Sequence, residues 1–380
     1  MGVIPTPGVA HLANQFPVLA GIVVSASHNP YHDNGIKFFG PEGTKLPDAV
    51  ESEIEKHIHG EPVAVRPSRG RAPAAKRASS PSLLVKKYSS FLQETFPQKL
   101  NLKNLKLAID CANGATYKVA PRLFGALGAE IVAINVDPDG RNINRSCGSL
   151  HPDKLSKEVV KLKCDCGLAF DGDGDRVIFV DENGDVRDGD YILAMVSRYL
   201  KEKGKLKNNT LVTTVMANLG LFKAMEKYDI SVLKTPVGDR YVYERMKSSG
   251  AVIGGEQSGH IIFRNFLPTG DGMLSALQVM SILKETGQSL SDLCGLMEKF
   301  PQILINTPVK KKVPLAELPR TSSLIKDIED KLGSNGRVLV RYSGTENLLR
   351  VMVEGQDKQS IAEIAQEVSG TAQQEIERMK

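Results

Sequence analysis

Residues 105–136 read LKLAIDCANGATYKVAPRLFGALGAEIVAINV. The opening LKLAID is a short apolar run that predicts a buried strand. A longer stretch, NGATYKVAPRLFGALG, predicts a helix, and AEIVAINV predicts a second strand. Two strands separated by a helix of this length are typical of a βαβ unit, whose strands lie parallel in one sheet. This stretch therefore predicts an α/β fold.

The alternation continues towards the C-terminus. EVVKLKCD leads by helix and strand into GLAFDGDGDRVIFVDENGD, and DYILAMVSRYLKEKG, TLVTTVMA, GLFKAMEKYD and SVLKTPVG repeat the pattern. AVIGGEQSGHIIF predicts a strand interrupted by a glycine-rich loop, and GDGMLSALQVMSILKETG predicts a long helix. After Phe300, β-rich segments surround a helix near residues 324–332, and a C-terminal helix follows. That last part predicts a small α+β domain.

The segment that precedes the alternation has a different composition. Residues 60–82 are rich in Pro, Arg, Ala and Ser and show little apolar periodicity. We interpret them as a long surface loop that leads into a helix carrying Leu83, Leu84, Tyr88 and Phe91.

Composition limits the class of protein. The 380 residues are 41% apolar and 24% charged, an ordinary globular balance, and are too many for one core, so we expect two to four domains. The net charge of +5 is too small to indicate a nucleic-acid partner but suits an acidic substrate such as a phosphate ester. No apolar run approaches membrane-spanning length. The five irregularly spaced cysteines fit a reduced, cytoplasmic protein, with Cys164 and Cys166 interpreted as strand thiols.

Residues 171–176 read DGDGDR between the strand-like GLAF and VIFV. On an extended chain Asp171, Asp173 and Asp175 point to one side, and the glycines let the backbone bend so that the three carboxylates converge. Converging carboxylates repel one another unless a hard cation such as Mg²⁺ lies between them. The pattern therefore predicts a divalent-metal site.

Two other interpretations of this string exist. An EF-hand would use the same aspartates and Glu182 at its twelfth position, but its sixth position requires glycine, and here that residue is Arg176. The strand-like flanks and the Asn183-Gly184 hairpin signal also argue against an EF-hand. A solvated acidic turn is the remaining alternative.

Two further loops have compositions suited to a sugar phosphate. RYSGTEN, residues 341–347, offers a guanidinium from Arg341, hydroxyls from Ser343 and Thr345, and a permissive Gly344, a combination that suits a phosphate cradle. Arg350 follows in the next strand. GGEQSGH, residues 254–260, places Glu256 and Ser258 among glycines, where they suit sugar hydroxyls. An ordinary turn remains an alternative for each loop.

SASHNP, residues 25–30, closes the strand-like GIVV with two serines. No Gly-x-Ser-x-Gly elbow surrounds either serine, so an acyl hydrolase is poorly supported. A serine beside His28, with Lys37 following in DNGIK, could instead carry a phosphoryl group, which the metal would neutralise while a lysine or histidine moves the proton. By itself the string fits a simple strand-end turn equally well.

The four loops in this order, SASHNP, DGDGDR, GGEQSGH and RYSGTEN, resemble the α-D-phosphohexomutase superfamily over nearly the whole chain, from Ile4 onward. Gln257, the SASHNP string and the VGDRYV string at residues 237–242 resemble the branch of the superfamily that acts on glucosamine phosphates.

The resemblance implies a multidomain α/β architecture around a central cleft, with three α/β domains and a C-terminal α+β domain. The implied domains are residues 1–98 with the phosphoserine loop, 99–197 with the metal loop, 198–303 with the sugar loop, and 304–380 with the phosphate loop. Family members usually carry several dozen residues before this point, with a Gly-Thr-Asp-Gly-Ile-Arg-Gly-like string, so we expect the first domain to be incomplete. We also note Asn347 where the family often has proline.

The resemblance also implies roles for individual residues. Ser27 would be the phosphoserine, His28 and Lys37 the candidates for general acid and base, and the three aspartates with Ser27 the metal ligands. The residues implied for substrate binding are Arg176, Arg240, Glu256, Ser258, Arg341, Ser343, Gly344, Thr345 and Arg350.

The implied reaction interconverts glucosamine 6-phosphate and glucosamine 1-phosphate through a phosphoserine and a 1,6-bisphosphate, with Mg²⁺ as cofactor. The expected partner is the sugar phosphate alone, without nucleic acid or membrane, and a homodimer is an open expectation. The alternatives are a mutase for mannose or glucose phosphates, and a truncated, non-catalytic phosphosugar-binding paralogue.

Overall fold

The structure is a computed structural model that describes residues 1–60, 80–343 and 346–379. The chain divides into two compact units. Unit 1 consists of Met1–Ala217 and Met225–Leu296, and unit 2 consists of Asn218–Ala224 and Met297–Lys380. Most of the loop predicted over residues 60–82 lies outside the described residues.

The first part of unit 1 is built around a small antiparallel sheet. Its elements are α1 (Thr6–Gln15), β1 (Gly21–Ser25), β2 (Gly35–Phe39), α2 (Asp48–His59) and α3 (Pro81–Thr95). In the described residues this sheet has two strands, with Val23 opposite Lys37 and Ser25 opposite Gly35. The helix predicted to carry Tyr88 is α3, whereas the charged helix α2 has no counterpart among the sequence predictions.

The second part of unit 1 contains residues 105–136, the stretch that predicted a βαβ unit. Its elements are β3 (Lys106–Asp110), α4 (Val119–Ala126), β4 (Glu130–Ile134), α5 (Asp153–Leu162), β5 (Cys166–Phe170), β6 (Val177–Asp181) and β7 (Val186–Arg187). The sheet order is β4-β3-β5-β6-β7, and the first three strands are parallel, as predicted. Strand β6 runs antiparallel to β5, and β7 runs antiparallel to β6. The predicted hairpin at Asn183-Gly184 connects β6 to β7, and Gly184 has a φ of +88° there.

A four-stranded sheet forms the third part of unit 1. Its elements are α6 (Gly189–Glu202), β8 (Thr210–Thr214), β9 (Ser231–Thr235), α8 (Asp239–Ser249), β10 (Ile253–Gly255), β11 (Ile261–Phe263), α9 (Gly272–Thr286) and α10 (Leu290–Cys294). In the sequence α7 (Leu219–Lys227) lies between β8 and β9, but its residues up to Ala224 belong to unit 2. The order is β11-β10-β8-β9, and only β11 runs antiparallel. The strand predicted to be broken by glycines is thus the β10–β11 hairpin.

Unit 2 has the α+β character that the sequence predicts. Its main elements are β12 (Gln302–Pro308), α11 (Pro319–Leu332), β13 (Gly336–Tyr342), β14 (Leu348–Gly355) and α12 (Lys358–Arg378). The antiparallel sheet has the order β12-β14-β13. Val351 and Val353 of β14 pack with Ile361 and Ala365 of α12 and with Ile328 of α11, so both helices bury the same side of the sheet.

No helix in the part of the chain that the structure describes is both long enough and apolar enough to cross a membrane.

Candidate active site

The DGDGDR loop connects β5 to β6 and brings three carboxylates together. One oxygen from each of Asp171, Asp173 and Asp175 lies within 4.8 Å of the others, and all three residues are buried. The predicted convergence is confirmed, but its cause is a turn rather than an extended chain. Gly174 has a φ of +74°, and its N–H donates to the carbonyl of Asp171 at 3.2 Å. A glycine is required here because residues with a Cβ rarely adopt this conformation.

Each aspartate has one oxygen in a hydrogen bond and one oxygen without a hydrogen-bond partner, although that oxygen of Asp175 lies 3.8 Å from Nε of Arg176. Oδ1 of Asp171 accepts from the N–H of Arg176 at 3.1 Å. Oδ2 of Asp173 accepts from Nζ of Lys37 at 2.7 Å and from Oγ1 of Thr6 at 2.7 Å. Oδ2 of Asp175 lies 3.1 Å from the same Nζ. The three remaining oxygens are buried and have no hydrogen-bond partner in the described structure.

Three unpartnered, buried oxygens of this kind fit a hard divalent cation. The electrostatics point the same way, because burial, followed by the charges of Asp175 and Asp173, raises the pKa of Asp171 well above its ordinary value. Burial alone would lower the pKa of Lys37, yet the carboxylates of Asp175 and Asp173 raise it. The residues present could therefore hold a metal ion.

Ser27 lies beside this loop, at the turn that follows β1. Its carbonyl accepts from the N–H of Gly172 at 3.1 Å, so the serine loop and the DGDGDR loop are directly hydrogen-bonded. A Cβ on Gly172 would lie 2.5 Å from that carbonyl oxygen, and the approach therefore requires glycine. The Oγ atom of Ser25 accepts from the N–H of Ser27 at 2.8 Å, whereas Oγ of Ser27 lies 3.4 Å from Nδ1 of His28. The two serines thus have different roles in the turn.

His28 and Lys37 come from different parts of the β1–β2 segment, the turn and the second strand respectively. Burial, followed by the charge of Arg176, lowers the pKa of the half-buried His28. Lys37 lies in β2 and reaches the aspartates by the two contacts given above. The structure therefore brings together Ser27, His28, Lys37 and the three aspartates.

The GGEQSGH loop connects β10 to β11 and contacts Val177, the residue that follows the DGDGDR loop. The N–H of Val177 donates to the carbonyl of Gly259 at 3.2 Å. Glu256 accepts from the N–H of Gly238 at 3.1 Å, and Oγ of Ser258 lies 3.5 Å from its second oxygen. Burial alone would lower the pKa of Arg176, yet the charges of Asp175, Asp171 and Glu256 raise it. Since these carboxylates come from the DGDGDR and GGEQSGH loops, Arg176 lies near both loops.

Arg240 is not among the residues brought to the aspartates. It lies in α8, where its guanidinium donates to the carbonyl of Leu46 at 2.5 Å and pairs with Asp48. Its Nε atom lies 3.8 Å from Glu244, one turn along the helix. The guanidinium is therefore occupied by the segment that begins α2.

The predicted phosphate loop lies in unit 2, between β13 and β14. Arg341 and Arg350 are opposite each other in the β13–β14 pairing, and burial, followed by the charge of Arg350, lowers the pKa of Arg341. Oγ of the buried Ser343 lies 3.4 Å from the guanidinium of Arg350. Two guanidiniums held side by side favour an anion between them. Gly344 and Thr345 lie outside the described residues.

Two neighbours of the aspartates have no role among the sequence predictions, although His260 was noted within its loop. Thr6, at the start of α1, holds Asp173 by its hydroxyl and by a backbone bond of 2.8 Å, and no local signal marks it. The buried His260 places Nδ1 at 3.8 Å from Asp175, while its Nε2 accepts from the N–H of Gly270 at 3.0 Å. His260 ends the GGEQSGH string, so the string itself was the available signal.

Family comparisons match four consecutive regions of the chain. The matching models are those of the phosphoglucomutase/phosphomannomutase alpha/beta/alpha domain I at residues 1–63, domain II at 86–184, domain III at 188–300, and the C-terminal domain at 304–371.

Similar curated proteins include the phosphoglucosamine mutase of Syntrophotalea carbinolica, which is 49% identical over 377 residues. That match covers 99% of this chain and 82% of the relative. The phosphoglucosamine mutase of Desulforamulus reducens is 50% identical over 374 residues, covering 97% of this chain and 83% of the relative.

Solved structures support the fold. N-acetylphosphoglucosamine mutase of Aspergillus fumigatus, in complex with GlcNAc-6P and magnesium, matches with a TM-score of 0.75 at 19% identity, covering 98% of this chain and 92% of that one. A phosphoglucomutase/phosphomannomutase family protein from Burkholderia thailandensis matches with a TM-score of 0.74 at 21% identity, covering 98% of this chain and 81% of that one.

Proposed function

Since the chain belongs to the phosphoglucosamine mutases of the α-D-phosphohexomutase superfamily, we propose that it interconverts glucosamine 6-phosphate and glucosamine 1-phosphate. It is an isomerase that works by phosphoryl transfer. The observation that carries the proposal is the hydrogen bond between Gly172 and the carbonyl of Ser27, because it holds the serine turn against the loop that brings three carboxylates together.

Ser27 is the proposed phosphoryl carrier. Phospho-Ser27 gives its phosphoryl group to the free hydroxyl of the bound sugar phosphate. The bond between phosphorus and Oγ breaks and Oγ takes up a proton from an acid, while a bond between phosphorus and the sugar oxygen forms and the proton of the sugar hydroxyl leaves to a base. The resulting 1,6-bisphosphate turns over and returns its other phosphoryl group to Ser27, which releases the isomer and restores the phosphoenzyme.

The three aspartates are the proposed ligands of Mg²⁺, together with an oxygen of the phosphoserine. When bound, the ion supplies positive charge that neutralises the phosphoryl oxygens. The fit rests on the three buried oxygens that lack a partner in the described structure.

His28 and Lys37 are the proposed proton-transfer groups. Nδ1 of His28 lies 3.4 Å from the Oγ atom that gains and loses the phosphoryl group. Lys37 holds its ammonium group against Asp173 and Asp175 and so brings a proton to the same place. Both residues remain candidates for acid and for base.

The proposed substrate contacts come from the other loops. Glu256 and Ser258 would hold the ring hydroxyls, and Arg176 would line the site. Arg341, Ser343 and Arg350, with Gly344 and Thr345, would bind the phosphate that does not react. Arg240 is proposed as a substrate contact on the resemblance alone, and using it would require release from Asp48 and Leu46. We retain the four predicted domains, the cytoplasmic location and the open homodimer as proposals.

A coupled assay tests the substrate. The purified protein, given Mg²⁺ and primed with glucosamine 1,6-bisphosphate, is assayed with the 1-phosphates of glucosamine, mannose and glucose. We expect the highest kcat/KM for the glucosamine compound. A higher value for mannose or glucose phosphate would contradict the proposed substrate, and no turnover of any of the three would favour a non-catalytic binding protein.

Intact-mass measurement tests the carrier. We expect the wild-type protein to gain the mass of one phosphoryl group on treatment with the bisphosphate. Ser27→Ala should not gain it, whereas Ser25→Ala, the matched control in the same turn, should. A wild-type protein that stays unmodified would contradict the covalent mechanism.

A further inference from the structure

The turn that carries Ser27 depends on contacts from outside itself. Ser27 has a φ of 52°, a left-handed conformation that is unfavourable for a residue with a Cβ. Within the turn, the N–H of Asn29 donates to the carbonyl of Ala26 at 2.8 Å. That bond leaves the carbonyl of Asn29 to find a donor elsewhere, while the carbonyl of Ser27, which already accepts from the N–H of Gly172, has room for a second donor.

Asn144, in the segment between β4 and α5, supplies those donors. Its Nδ2 atom lies 2.8 Å from the carbonyl oxygen of Ser27 and 2.8 Å from that of Asn29. A side-chain amide nitrogen has two hydrogens, so each carbonyl receives one. One side chain thus spans the turn and fixes the peptide groups that follow Ser27 and Asn29.

Asn144 is itself held in place. Its N–H donates to the carbonyl of Ala112 at 2.9 Å, and its φ is 57°, which asparagine tolerates better than most residues. Gly172 packs against both partners, because a Cβ there would lie 2.8 Å from Nδ2 of Asn144 and 2.5 Å from the carbonyl of Ser27. The amide therefore connects the serine turn to the DGDGDR loop through a closely packed contact.

We propose that Asn144 is a positioning residue for phosphoryl transfer. It holds the turn so that Ser27 stays beside the DGDGDR loop, without touching the substrate itself. This inference rests on the proposed role of Ser27 as the phosphoryl carrier. Its physical basis is that phosphoryl transfer depends mainly on alignment, so a small displacement of the turn slows the reaction.

The test variant is Asn144→Asp. Aspartate has nearly the same shape and also tolerates a positive φ, but its carboxylate cannot donate and would repel both carbonyl oxygens. We expect kcat to fall by about 10- to 100-fold while the KM for glucosamine 6-phosphate changes little. The rate at which the bisphosphate phosphorylates Ser27, followed by intact mass, should fall by the same factor. Asn144→Gly removes the amide but tolerates the positive φ. Its kcat should therefore lie between those of Asn144→Asp and the wild type.

Asn208→Asp is the matched control. Asn208 also has a φ of 57°, and its Nδ2 also donates to a carbonyl, that of Ser249, at 3.0 Å. It precedes β8, whereas the GGEQSGH loop follows the parallel strand β10, so it lies at the opposite end of that sheet. We expect Asn208→Asp to lose stability but to keep the wild-type kcat below its melting temperature.

Three outcomes decide the matter. A wild-type kcat in Asn144→Asp, with Ser27 still phosphorylated, would overturn the positioning role and leave the proposed function intact. An equal loss of kcat in Asn208→Asp would also overturn it, because the effect would then be general destabilisation. If the wild-type protein never carries a phosphoryl group on Ser27, the proposed function and this inference both fail.

Discussion

At the scale of single residues, the site is defined by which oxygen of each aspartate is already engaged. Lys37 and Thr6 bind one oxygen of Asp173, and the N–H of Arg176 binds one oxygen of Asp171. The second oxygens are buried without a hydrogen-bond partner in the described structure, so mutual repulsion remains. A bound cation would remove both the repulsion and the unmet hydrogen-bonding capacity.

We predict that Asp171→Asn greatly reduces the rise in melting temperature that Mg²⁺ causes in the wild type. The wild-type melting temperature should rise with added Mg²⁺, by an amount equivalent to about 2.7 kcal/mol at 100 times the dissociation constant. The variant keeps the acceptor for the N–H of Arg176 but loses one charge, so it should melt no lower than the wild type in EDTA and should gain little from Mg²⁺. Differential scanning fluorimetry with and without the ion measures both effects.

The control for this experiment is Asp153→Asn, an exposed aspartate in the first turn of α5. It should respond to Mg²⁺ as the wild type does. An equal rise in melting temperature for Asp171→Asn would count against a metal site at the DGDGDR loop.

At the scale of elements, a buried hydrogen bond joins α3 to α9 behind the DGDGDR loop. Oη of Tyr88 donates to Oδ2 of Asp271 at 2.6 Å. Oδ1 of Asp271 caps α9 by accepting from the N–H groups of Met273 and Leu274, and the next residue, Gly272, donates to the carbonyl of Gly174 at 3.0 Å. The N-terminus of α9 therefore supports the turn that brings the aspartates together.

We predict that Tyr88→Phe destabilises the protein by about 1–3 kcal/mol near pH 8, because a buried carboxylate loses a donor. Burial raises the pKa of Asp271 to about 6, and the bond from Tyr88 opposes that rise. Asp271 thus binds its proton more tightly in the folded protein than in the unfolded one, and the wild type loses stability as pH rises through about 6. The variant has a still higher pKa, so its deficit should shrink as pH falls below 6, where Asp271 is protonated in both proteins.

Urea unfolding near pH 5 and near pH 8 measures this difference. Tyr199→Phe is the control, because Oη of Tyr199 also donates to a carboxylate, Glu285, at 2.5 Å, but the pair is exposed. Its cost should be small and nearly equal at the two pH values. A pH-independent deficit in Tyr88→Phe would show that Asp271 does not titrate in this range.

At the scale of the whole molecule, the chain forms two compact units, and unit 2 is not continuous in sequence. Residues Asn218–Ala224 belong to it although the remainder begins at Met297. The buried Glu354 of β14 accepts from Nδ2 of Asn218 at 3.0 Å, from the N–H of Leu219 at 3.1 Å and from Nε of Arg337 at 2.6 Å. This carboxylate fixes the inserted segment to the sheet of unit 2.

We predict that Glu354→Gln destabilises unit 2 by about 3 kcal/mol, because it breaks a buried ion pair while keeping the shape of the side chain. Hydrogen exchange should accelerate in residues 218–224 and 297–379 and remain unchanged in residues 99–200. Glu375→Gln is the control. Glu375 caps α11 through the N–H groups of Arg320 and Thr321 from an accessible position, and its loss should cost less than half as much. Faster exchange throughout the chain in Glu354→Gln would contradict a stabilising role of Glu354 that is confined to unit 2.

The sequence determined the features that depend on neighbouring residues. Apolar periodicity predicted most of the alternating elements from β3 to α9, and the glycines of DGDGDR predicted the convergence of its carboxylates, because both follow from local geometry. The helices α2 and α8 were not predicted, because their charged sequences show little apolar periodicity. Such helices are stabilised mainly by tertiary packing. The catalytic roles themselves came from the resemblance and stay proposals.

Tertiary structure alone decided which distant groups meet. Thr6 reaches Asp173, and Asn144 spans the turn of Ser27, across 167 and 117 residues of chain respectively. No local pattern marks either contact, because each depends on how separate elements pack and on a donor finding an otherwise unmet acceptor. The same reason applies to Arg240. The resemblance assigned its guanidinium to the substrate, but in the fold the guanidinium pairs with Asp48. Sequence specified the chemical groups, and packing selected their partners.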